Sequence, residues 1–175
     1  MHAGIIELLH GWHEFFITVA TAAATLIASM FVVVSIGGGM LTAKNLPQIR
    51  AFFTATVVHL ANILLYALVA LVPSLDQTSF AALLALGGAV GLGFSLYLLP
   101  VIRKHGTDIA LEDWFWYGGA PVAAYGVVLA TAACVLGEWP RSLELLGFGL
   151  VLLLLVGIRN AWDLIIYLVT HRHAE

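Results

Sequence analysis

The run LLLLVGIRNAWDLIIYLV, residues 152–169, is apolar except where Arg159, Asn160 and Asp163 interrupt it. Such groups are costly in hydrocarbon, and they are kept where they pair with one another, bind a neighbouring helix or mark an ion or proton pathway. Asp163 follows Arg159 by four residues. Helical side chains lean toward the N-terminus, so an Arg159–Asp163 pair is available within one helix, with Asn160 beside it. A second polar stripe lies in the run 52–72, where His59, Asn62 and Tyr66 recur at i, i+3 and i+7 among Ala, Val and Leu. A rise of about 1.5 Å per residue from one membrane surface puts His59 roughly 12 Å, Asp163 roughly 9 Å and Arg159 roughly 15 Å deep. At matched depth these six residues are expected to form one intramembrane cluster joining the second and fifth spans. That cluster either fixes helix contacts, at about 0.6–2 kcal/mol per hydrogen bond, or conducts ions or protons. One acid, one base and one histidine neutralise each other, which favours the structural use.

The N-terminal stretch offers different chemistry. Glu7, His10, His13 and Glu14 recur at i, i+3, i+6 and i+7, with His2 ahead of them. Imidazole and carboxylate suit Zn, Cu or Ni. Gly11 weakens a helix there and no HExxH pattern is present, so the expectation is no metal. These residues instead read as the solvated face of an interfacial amphipathic lead-in, residues 1–14. No cofactor is expected either. His59 is the only histidine well inside a span, which argues against a haem held by two histidines. Neither GxSxG nor a GK[ST] after Gly37, Gly38 and Gly39 occurs, so an enzyme is the class with least support. The single Cys134 offers no disulfide and no thiolate metal site. Gly87, Gly88, Gly91 and Gly93 form a smooth, GxxxG-like face expected to pack closely on another helix.

The elements that must position these groups follow from composition. The chain of 175 residues is 62% hydrophobic and 10% charged, with a mean hydropathy of +1.02, whereas soluble domains carry roughly 25% charged residues. Runs of about 20 apolar residues cross a hydrocarbon core, and five segments qualify: 15–41, 52–72, 80–102, 114–136 and 143–169. The first run is too long, and residues 1–14 too poor in Lys and Arg, for a cleaved secretory signal, so it is expected to stay. Lys and Arg in short loops remain cytoplasmic. Lys44, Arg50, Arg103, Lys104 and Arg172 fall on one side and Arg141 on the other, which predicts an extracytoplasmic N-terminus and a cytoplasmic C-terminus. Scattered basic residues and a net charge of −3 give no sign of nucleic-acid binding.

The segments WHEFFITVATAAATLIASMFVVVSI, residues 12–36, and RNAWDL, residues 159–164, resemble a family of small, uncharacterised bacterial inner-membrane proteins. The resemblance implies a bacterial inner-membrane location and draws attention to His13, Glu14, Asn160 and Asp163. The expected fold is therefore all-α: one transmembrane domain, 1–175, built as a bundle of five helices. The expected function is a nonenzymatic scaffold or accessory subunit of a bacterial membrane assembly, with the bilayer, itself or other membrane subunits as partners. The alternative is an ion- or proton-conducting oligomer using the His59/Asp163 region.

Overall fold

The computed structural model describes the backbone of residues 4–37, 46–105 and 114–171, and the side chains of residues 4–36, 53–100 and 114–166. Every regular element among them is helical: α1 (Ile5–Gly11), α2 (His13–Gly37), α3 (Leu46–Ala70), α4 (Gln77–His105), a π-helical turn (Phe115–Gly119), α5 (Ala120–Leu136) and α6 (Ser142–His171). Among the described residues, five helical segments of 18 to 25 residues, with mean hydropathy between 1.8 and 2.2, are long and apolar enough to cross a membrane.

The helix ends lie where local chemistry puts them. The first span begins at His13 rather than Phe15, because Gly11 and Trp12, the latter at φ −101° and ψ 6°, end the short α1. The third begins at Gln77 rather than Phe80 because Asp76 caps it. Its Oδ2 accepts from the backbone N–H of Thr78 at 3.1 Å and of Ser79 at 3.2 Å. The Ser79 side chain, then these backbone donors, hold the Asp76 carboxyl below its ordinary value. At the start of α6, Arg141 Nη2 lies 2.7 Å from Glu144 Oε2, an exposed ion pair that raises the Arg141 guanidinium further.

The fourth span opens in a wider helix for a reason visible in its sequence. Pro121 has no N–H to give the Tyr117 carbonyl, and its ring crowds that carbonyl. The chain relaxes by donating the Ala120 N–H to Phe115 O, five residues back.

Helices α3, α4, α5 and α6 close a four-helix bundle in which α5 packs against α4 and α6, α6 against α3, and α3 more sparsely against α4. Helix α2 lies outside it, against α3 and, to a smaller extent, α6. Leu60, Ile63, Phe80, Leu84, Val128, Leu146, Leu150 and Leu153 are fully buried in the shared core. Helix α1 places Leu9 into the same core and packs Ile5, Leu8 and Trp12 against it.

Candidate functional site

The bundle interior holds the polar stripe of α3. His59 and Tyr66 are buried, at 2% and 1% exposure. His59 Nδ1 is 2.9 Å from the hydroxyl of Tyr125 on α5, and Asn62 Nδ2 donates to the same hydroxyl at 2.9 Å. With Asn62 donating to it, the Tyr125 hydroxyl donates to His59 Nδ1 in one imidazole tautomer and accepts from it in the other, and both arrangements satisfy the three groups. The Phe94 ring stands edge-on to the imidazole at 6.1 Å and 71°.

The glycines of α4 make room for this arrangement. A Cβ on Gly91 would lie 2.1 Å from Tyr125 Cε1, and one on Gly87 would lie 2.6 Å from Tyr66 Cε1. The face expected to meet a helix backbone therefore seats two tyrosine rings on successive turns. Gly88 meets Leu129 and Val128 on α5, while Gly93 has nothing within 4 Å among the described residues of the chain.

The second polar group sits on α6. Arg159 Nε lies 3.2 Å from Asp163 Oδ2, the ion pair expected from the i, i+4 spacing. The same carboxylate oxygen accepts from the hydroxyl of Tyr117 at 2.8 Å. Tyr117 lies in the π turn, so the wider helix at Pro121 sets the hydroxyl that reaches α6. Asp163 and Arg159 are about one-third exposed, at 27% and 35% of their side chains. Asn160 is buried at 6%, and its Oδ1 has no hydrogen-bond partner among the described residues.

The single cluster expected across the second and fifth spans is thus resolved, in the described hydrogen bonds, into two groups that each recruit a tyrosine of the fourth span. Helices α3 and α6 do meet, and Leu60 is at the contact: a Cβ on Gly157 would lie 2.6 Å from Leu60 Cδ2. Neighbouring residues on a helix point about 100° apart, so with Leu60 turned to α6, His59 is carried toward α5. Tyr125 carried a signal in the sequence. It is an aromatic hydroxyl in the middle of AAYGVVLATAA, and a buried tyrosine hydroxyl needs a polar partner.

Glu7, His10, His13 and Glu14 are all exposed. Glu7, His10 and His13 line one side of a cleft of about 530 Å³ whose other wall is Ala70–Leu75, leading out of α3. The His10 and His13 ring centroids are 6.4 Å apart, and no group of three or more His, Cys, Asp or Glu among the described residues is gathered closely enough to hold a metal ion. His2 and the basic residues behind the orientation argument, Lys44, Arg50, Arg103, Lys104 and Arg172, lie outside the described side chains. Comparison of the chain with protein families, with curated proteins and with solved structures finds no match.

Proposed function

We propose that the protein is a nonenzymatic subunit of a bacterial inner-membrane assembly, its N-terminus outside and its C-terminus in the cytoplasm, joined to a neighbouring helix through the outer face of α2. One observation carries this reading. Thr18, Thr21, Thr25 and Ser29 are exposed along one stripe of α2, with Ala24 and Ala28 beside them. Each hydroxyl donates to the carbonyl four residues back at 2.8 Å, so the stripe bears little cost in an apolar setting. The outer faces of α4 and α6 carry large apolar side chains in place of small hydroxyl-bearing ones. Helix α4 presents Leu83, Leu86, Val90 and Tyr97, and α6 presents Phe148, Val151, Leu155 and Trp162. Lipid tails are as apolar as leucine, so helices in a membrane associate through small residues that let backbones approach and hydroxyls share bonds. By that criterion α4 and α6 suit lipid and α2 suits another helix.

Cysteine cross-linking in membranes tests the reading. With Cys134 replaced by Ala, Thr21→Cys and Thr25→Cys are expected to form oxidative cross-links, to a second copy or to another subunit, while Leu86→Cys does not. Equal cross-linking at all three positions, or none at the α2 positions, contradicts it. Conduction is the second reading, favoured by the unspent polar atoms of Tyr66 and Asn160 inside the apolar interior. Ion or proton flux in liposomes that is lost with His59→Leu would support that reading instead.

A further inference from the structure

We infer that the interior between α3, α4 and α5 contains a binding site for one water-sized hydrogen-bonding molecule, in the cell water itself, held by the Tyr66 hydroxyl and the His59–Asn62–Tyr125 group. Tyr66 is 1% exposed, yet its hydroxyl makes no hydrogen bond among the described residues. Native interiors rarely leave such a group unsatisfied.

Two independent features aim that hydroxyl at the polar group. On α3, Tyr66 lies one turn beyond Asn62 and its side chain leans back toward the N-terminus, to the level at which Asn62 donates to Tyr125. On α4, Tyr66 rests over Gly87 and Tyr125 over Gly91, one turn apart on the same face. The two rings are seated one turn apart on one face of α4 and no hydrogen bond joins their hydroxyls among the described residues, the circumstance in which water bridges polar groups.

The donor and acceptor count suits such an occupant. Tyr125 accepts from Asn62 and bonds His59, which leaves its hydroxyl one further site, an acceptor or a donor according to the His59 tautomer. Asn62 retains a second N–H and its carbonyl oxygen, and Tyr66 has both a donor and acceptors unspent. A buried water commonly makes about three hydrogen bonds. The tyrosine rings already fill the room over Gly87 and Gly91, so the site takes something small.

Radiolytic hydroxyl-radical labelling in ¹⁸O water, on full-length protein in nanodiscs, reads the site directly because radicals form at internal waters. Tyr66 and Tyr125 are expected to label several-fold faster than Phe16 and Phe80, which are fully buried in the apolar core. In Tyr66→Phe, which keeps the ring over Gly87, labelling of Tyr125 should drop toward the Phe80 level and the denaturation midpoint should fall. Labelling of both tyrosines no faster than Phe80 would overturn the site. So would a rise in the Tyr66→Phe midpoint, since removing a dry, unbonded hydroxyl relieves the fold. The wild-type labelling decides by itself if the variant does not fold.

Discussion

Two glycines, two residues apart on α4, should respond oppositely to the same methyl group. In Gly91→Ala the new Cβ lies 2.1 Å from Tyr125 Cε1 and 2.5 Å from its Cδ1 and Cζ. Carbon atoms pack at about 3.5–4.0 Å, so the ring must retreat by more than about 1 Å. It is not at liberty to do so, because its hydroxyl is held at 2.9 Å by both His59 and Asn62. Overpacking of this kind costs about 1–3 kcal/mol. Breaking one of the two bonds removes about 0.5–1.5 kcal/mol, and more if a buried group is left unpaired. Alanine returns about 0.8–1.0 kcal/mol of helix propensity. The net loss is about 0.5–4 kcal/mol, with about 2 kcal/mol at the centre of these ranges. Gly93→Ala meets no atom within 4 Å, so only the propensity acts, for a gain of up to about 1 kcal/mol. Reversible unfolding in mixed micelles, followed by circular dichroism, measures both. Equal shifts in the two variants, or a Gly91→Ala protein as stable as wild type, would refute the view that α4 is a seat for the tyrosines.

Tyr117→Phe removes a hydrogen bond to a charged group, worth about 1.5–3 kcal/mol when buried. At a site one-third exposed it should cost about 1 kcal/mol, and a double-mutant cycle with Asp163→Asn should show coupling between the two; strict additivity would deny the bond. The Asp76 cap gives a pH dependence. Its carboxyl sits below the ordinary value of 3.8 in the folded protein, so its stabilisation is fully present above that value and is lost as pH falls through the folded one. Asp76→Asn should therefore flatten the acid limb of the stability curve, and an unchanged limb would count against the cap. Lys44→Cys and Arg103→Cys should escape a membrane-impermeant thiol reagent in intact cells, and labelling of either would reverse the proposed orientation.

Position along each helix was legible in the sequence and azimuth was not. A fixed rise per residue orders His59, Asp163 and Arg159 along their helices, and the Arg159–Asp163 pair follows from spacing within one helix. Which neighbour a stripe faces depends on the rotation of the whole helix, and that is set by contacts such as Leu60 on Gly157, far apart in the chain. His59 and Asn62 were accordingly expected on the fifth span and bond to the fourth. The five apolar runs were plain from hydropathy alone. Their ends were set by polar detail within the turns, such as the Asp76 cap. The π turn that carries Tyr117 had a readable cause in Pro121, but the reach of its hydroxyl to Asp163 depends on how α5 and α6 pack. Gly93, a small residue in the same run, faces open surroundings within the chain.

The central claim, that the outer face of α2 seats another helix, is tested most directly by the mass of the particle extracted from its own membrane into nanodiscs, for wild type and for Thr25→Leu. One chain is 18.7 kDa. The wild-type particle should exceed that protein mass, through a second copy or another subunit, and the leucine variant should return to a single folded chain because its side chain holds the helices apart. A wild-type particle of one chain, or a Thr25→Leu particle that keeps the full assembly mass, would contradict the account.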